Sequence, residues 1–183
     1  VRELVAAYTP TDAELAFITD SAWQPGHRLT LALLLKSFQR LGYFPAIDEV
    51  PAAVVRHLRN ALRYRVQIKP ADIAPNKRYR YFQRIRTYLQ VRAYADGGLD
   101  VAARAIHEAA AVMDNPADLI NVAIEQLVRD RIELPAFSAL DRLARRIRAL
   151  VNGRYFALID ARLTVDEKQR LDDLLVVTDA RIK

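Results

Sequence analysis

Arginine is the residue type through which this chain could do chemistry. Between Arg56 and Arg92 stand Arg56, Arg59, Arg63, Arg65, Lys69, Lys77, Arg78, Arg80, Arg84, Arg86 and Arg92, with Asp72 as the one acid, a net +10. The other positions hold 17 basic and 21 acidic residues, a net −4, so the +6 of the whole chain belongs to this segment. Like charges one helical turn apart destabilise a helix, so a run this one-sided points to an anionic partner. Arginine outnumbers lysine nine to two there. Its planar fork fits phosphate and the guanine edge in a way an ammonium does not. Tyr81 and Tyr88 flank the basic face; they either donate to phosphate and stack on bases or simply border the core. A second, weaker arginine face is Arg142, Arg145, Arg146 and Arg148, with Glu133, Asp141 and Asp160 near enough in sequence to neutralise part of it.

Catalytic and metal-binding patterns are missing. His27, His57 and His107 are far apart and lack the i,i+4 spacing of a helical metal pair. There is no phosphate-cradling glycine loop and no Gly-x-Ser-x-Gly turn. Asp20, Asp48, Glu49, Asp160, Asp172 and Asp173 read as caps and solvated charges. Without cysteine, disulfides and thiolate zinc sites are excluded. The expectation is a chain with no enzymatic activity of its own and no cofactor. The longest aliphatic run, Leu31 to Leu35, is far too short to span a bilayer, so no membrane partner is expected. No signal peptide is recognisable at the start.

The elements that position these residues are helical. Hydrophobic residues make up 52% of 183, enough for a real core, and no sustained apolar–polar alternation appears. Thr11-x-x-Glu14 predicts a capping box opening a helix to about Asp20. Pro25-Gly26 introduces a long helix, apolar on most sides through Leu29, Leu31 to Leu35, Phe38 and Leu41, that Gly42 stops. A helix from Pro51 to about Leu62 follows, then one short turn at Pro70 to Ile73. Asn76 is the expected N-cap of a helix to about Leu89. Its core face is Phe82, Ile85 and Leu89, and its opposite face is Lys77, Arg80, Arg84 and Thr87. Asp96-Gly97-Gly98 is the clearest break. Four more helices are predicted: Leu99 to about Met113; Asn115-Pro116 to about Ile132; one capped by Ser138-x-x-Asp141 and closed by Gly153; and one capped by Thr164-x-x-Glu167, ending near Val177. The third carries a buried stripe of Leu140, Leu143, Ala144, Ile147, Leu150 and Val151.

Blocks of the sequence resemble the N-terminal region of the large replicative transposases of the Tn-three family. The first runs from His27-Arg28-Leu29-Thr30 through Leu41-Gly42-Tyr43-Phe44-Pro45, similar to the family's Arg-Leu start, apolar helix and Gly-aromatic-Pro exit, with Val50-Pro51-Ala52-Ala53-Val54-Val55 after it. The second is Ile85-Arg86-Thr87-Tyr88-Leu89, followed by Arg92. The third is Leu127 through Pro135 with Leu140-x-Arg142-Leu143, and the fourth is Arg170-Leu171-Asp172-Asp173-Leu174-Leu175. The chain departs from the family at Tyr81-Phe82, where a His-Arg pair is frequent, and at Gln90-Val91, where Gly-aromatic is usual. The resemblance implies that this region binds the terminal inverted repeats of a transposon. It also implies that the metal-dependent carboxylate triad lies further along a longer parent. A start at Val1 rather than Met fits a piece of such a parent.

The resulting expectation is an all-α fold of two packed helical subdomains, 1–95 and 96–183, with helix-turn-helix-like elements. Its partners would be double-stranded DNA at the terminal repeats and the rest of the parent transposase. The fragment would be monomeric, the parent dimeric, in the bacterial cytoplasm on nucleoid DNA. The residues expected to touch DNA are Lys77, Arg78, Arg80, Tyr81, Arg84, Arg86, Tyr88, Arg142, Arg145, Arg146 and Arg148. Two rival expectations are a helical module docking on an acidic protein surface and non-specific nucleic-acid binding.

Overall fold

Proline, glycine and capping side chains set where most of the helices begin. The structure, a computed structural model, describes residues 2–175. The order is α1 (Arg2–Tyr8), α2 (Asp12–Ser21), α3 (Pro25–Leu41), a 3-10 turn (Ile47–Glu49), α4 (Ala52–Ala61), α5 (Pro75–Leu89), α6 (Gly98–Ala109), α7 (Pro116–Arg129), α8 (Phe137–Asp160) and α9 (Val165–Leu175). The fold is all-α, as expected; among the described residues the one β-type contact is an isolated bridge between Arg92 and Ile132.

The capping box at Thr11 is present: Glu14 N–H donates to the Thr11 hydroxyl, and Thr11 N–H donates to the Glu14 carboxylate at 2.7 Å. The apolar surround of α3 makes it the central helix, with Leu29 to Phe38 buried without a break. Helices α1, α2, α4 and α5 pack around it. This burial takes in Lys36, whose ammonium is neutralised by Glu14 at 3.2 Å, while Gln39 donates to the same carboxylate at 2.7 Å. A buried charge is tolerated only when paired and hydrogen-bonded in this way.

A second core lies further along the chain. Ala102, Ile106, Leu119, Ala123, Leu127, Leu140, Ala144 and Ile147 bury one another between α6, α7 and α8. The two cores meet along a backbone seam. Arg92 N–H donates to the Arg131 carbonyl, Glu133 N–H to the Arg92 carbonyl, and Leu134 N–H to the Gly42 carbonyl at 2.8 Å. Gly42 serves this seam twice. Its φ of +77° ends α3, and a Cβ there would stand 2.8 Å from Leu134. Gly98 is likewise pressed against the Tyr94 ring and Ile132.

Several expected boundaries move. Helix α5 begins at Pro75 in the N1 position with Ala74 before it, so Asn76 lies inside the first turn and caps nothing. Pro70 to Ile73 forms no turn; Ala71 N–H donates to the Gly26 carbonyl, and the Ala71 carbonyl accepts from the Thr30 hydroxyl. Helix α6 stops at Ala109 and α7 at Arg129, where Arg131 takes a positive φ and Ile132 joins the seam. Helix α8 starts after Ala136, so Ser138 is not its cap. It also passes straight through Gly153 to Asp160, because one glycine costs a helix only about 1 kcal/mol. Leu150, expected in the buried stripe of α8, is 60% exposed. Helix α1 and the 3-10 turn had no sequence signal strong enough to name them. The capping box at Thr164 is formed, and the expected end of the last helix near Val177 lies outside the described residues.

Candidate nucleic-acid interface

Helix α5 places Lys77, Arg80 and Arg84 on one side, three and four residues apart. That side faces the connection between α2 and α3. Together they enclose an open cleft of about 330 Å³, lined by Ser21, Ala22, Trp23, Gln24, His27, Lys77, Arg80, Tyr81 and Arg84. Among the described residues, no carboxylate lines it. The N-terminal turn of α3 borders the cleft, and its dipole adds to the positive potential.

The cleft wall is braced by hydrogen bonds. Arg84 donates to the Ser21 carbonyl at 3.0 Å. Arg28 donates to the Ala22 carbonyl at 2.7 Å. The Lys77 ammonium lies 3.0 Å from His27 Nε2. Burial, aided by the charge of Lys77, pushes the His27 imidazole below its ordinary pKa. It is therefore neutral near pH 7 and accepts from Lys77, leaving the other ammonium protons for an anion.

The expected contact residues divide. Lys77, Arg80 and Arg84 come together at the cleft, and Arg78 is exposed on the same helix outside its lining. Tyr81 lines the cleft beside Arg80 and Arg84, but it is only 4% exposed and belongs to the first core, where burial pushes its phenol above the ordinary pKa against the opposing pull of Arg84. Arg86 is not free for an anion either. It is turned to the seam, where its guanidinium lies 2.7 Å from the Glu133 carboxylate and stacks over Phe44. Tyr88 is partly exposed, with its ring stacked on Phe17 at a centroid distance of 4.3 Å.

The second arginine face lies on α8. Arg145 pairs with Asp141 at 2.9 Å, and Arg148 with Asp114 at 2.7 Å. Arg142 and Arg146 are exposed and form no ion pair among the described residues. Sequence reasoning missed three residues that shape the site: Trp23, His27 and Arg28. The available signal was a lone tryptophan placed two residues before a Pro-Gly helix start.

Among the described residues, no group of three His, Asp or Glu side chains is placed to hold a metal ion. No helix there is long and apolar enough to cross a membrane.

A family model, described as a domain of unknown function (DUF4158), matches residues 1–147. The chain belongs to this family. The DUF4158 chain is also similar to the transposase for transposon Tn501 of Pseudomonas aeruginosa, at 28% identity over 179 residues. That alignment takes in 94% of this chain and 18% of that transposase, so the DUF4158 chain spans less than a fifth of the relative's length. Both similarities bear out the resemblance to the N-terminal region of Tn-three family transposases.

Proposed function

We propose that this domain binds duplex DNA at the terminal inverted repeats of a transposon, as one part of a much longer transposase. The observation that carries this reading is the cleft face of α5, where Lys77, Arg80 and Arg84 gather with no carboxylate among the described residues of the lining. Such a face suits phosphates, which position a protein on DNA, while one or two arginines can read base edges. Arg78 extends the same face. Arg142 and Arg146 on α8 are its counterparts on the second core, and they would hold a second stretch of backbone. Two linked contacts of modest strength gain affinity through effective concentration. In this reading the two cores act as subdomains, 1–95 and 96–183, strand cleavage belongs to another part of the parent, and no cofactor is needed here.

A salt titration with matched and scrambled terminal-repeat duplexes tests the reading. Tight binding to the matched duplex, weakening steeply with salt and stronger than for the scrambled one, is the expected result. Equal affinity for both removes sequence recognition and leaves general nucleic-acid binding. Absence of binding at low salt removes DNA and favours an acidic protein partner.

A further inference from the structure

We propose that Trp23 is the stacking residue of a nucleotide subsite, with one backbone phosphate held in the adjoining cleft and the indole laid against the neighbouring sugar and base. This inference rests on the DNA-binding reading and adds a ligand unit and a contact residue to it.

Trp23 is the chain's one tryptophan, and it is 92% exposed. A tryptophan normally buries more surface than almost any other side chain, so leaving the whole ring in water forfeits a large stabilisation. The exposure is imposed by firm neighbours. Ala22, the residue before it, is buried, and the Ala22 carbonyl accepts from Arg28 at 2.7 Å. Ser21 is tied to Arg84. Pro25 opens α3 two residues later with its φ already fixed. A large flat ring is thus held out on a braced support, which lowers the entropy lost when something packs on it.

The chemistry around the ring selects the ligand. Lys77, Arg80 and Arg84 line the same cleft as Trp23 and provide cationic donors for a phosphate. The cleft volume of about 330 Å³ is at the small end for ligand cavities. It is open to solvent, so it suits one unit of a polymer better than a free ligand enclosed whole. An acidic peptide would satisfy the cations but offers the indole no flat partner. A nucleotide unit supplies both: its phosphate meets the cations, and its sugar edge, with the face of a base that is unstacked from its neighbour or stands at an open end of the duplex, meets the indole.

The single tryptophan makes its own reporter. The whole chain is titrated with a short dye-labelled mixed-sequence duplex, following dye anisotropy for binding and indole emission for contact at Trp23. Saturation is expected to quench the indole by more than about half. Trp23→Ala should weaken binding about tenfold, within the range for loss of one stacked base. Trp23→Phe should restore most of it, and both variants should keep the parent thermal transition, since the ring touches little. If anisotropy reports binding while the emission and the Trp23→Ala affinity stay unchanged, Trp23 is not a contact and the DNA reading stands without it. If anisotropy reports no binding at low salt, both readings fall. Quenching by poly-glutamate as strong as by the duplex would also overturn the nucleotide assignment.

Discussion

Arg86 and Glu133 meet at 2.7 Å across the seam between the two cores, 47 residues apart in sequence. Both Arg86 Nε and Nη2 point at the same Glu133 oxygen, and both side chains are largely withdrawn from water. The most basic segment of the sequence therefore contains one arginine that joins the two cores.

Arg86→Ala should accordingly lower stability by about 2–3 kcal/mol, because it strands the Glu133 carboxylate in a poorly hydrated place. Chemical denaturation measures this. Adding Glu133→Ala should recover part of the loss, giving a clear coupling energy in a double-mutant cycle. DNA affinity of the folded Arg86→Ala chain should change little.

Arg80→Ala with Arg84→Ala should do the reverse. Two phosphate contacts removed should lower the slope of log affinity against log salt by about two. The thermal midpoint should move by no more than about 3 °C, the worth of roughly 1 kcal/mol for the lost hydrogen bond to Ser21. A large stability loss with unaltered binding would mean that the helix faces are reversed. Tyr81→Phe removes only the hydroxyl of a ring that the first core holds at the cleft wall: unchanged binding leaves Tyr81 a packing residue, and weakened binding with an unchanged thermal midpoint makes its hydroxyl a contact.

Glu14 sets the acid limit of the first core. Burial raises its pKa, but hydrogen bonds from Thr11 N–H, Gln39 and Lys36, with the charge of Lys36, outweigh this and hold it below its ordinary 4.5. The native state therefore binds fewer protons than the unfolded chain. The stabilisation is fully present above the unfolded pKa and is lost as pH falls through the lower native one. Denaturation midpoints taken between about pH 3 and pH 6 should show this fall, and Glu14→Gln should flatten it while reducing stability at neutral pH.

On α8, Ile147→Ala should cost about 2–4 kcal/mol, since it empties a filled position of the second core. Leu150→Ser should cost within about 0.5 kcal/mol, as for an exposed site. Equal losses at both positions in a melting experiment would place Leu150 back in the buried stripe.

Local signals were the legible part of this chain. Thr11 and Glu14 are three residues apart, and the capping box they form needs nothing from elsewhere. The length and burial of α3 follow from its own apolar run between Pro25 and Gly42. The basic face of α5 was likewise readable from a helical period. What escaped depends on distant partners. Nothing near Arg86 announces Glu133, and nothing near Tyr81 announces how closely the first core closes over its ring. Gly153 looked like a stop because a glycine that ends a helix and one that merely rides in it have the same identity. Trp23 escaped because a single exposed ring in a connection has no periodicity to betray it.

Among the described residues, helix α8 is buried only along its first part. Val151 is its last buried residue, and Tyr155, Phe156, Leu158 and Ile159 stand exposed beyond it. At 1.5 Å per residue, the stretch from Val151 to Asp160 is a lever of about 13 Å, and a tilt of about 10° at its fulcrum displaces the tip by about 2 Å. Arg142 and Arg146 lie on the anchored side of that fulcrum. Arg146 stands five residues before Val151, on a shorter arm than the tip nine residues beyond it, whereas Arg142 stands nine residues before it, on an equal arm.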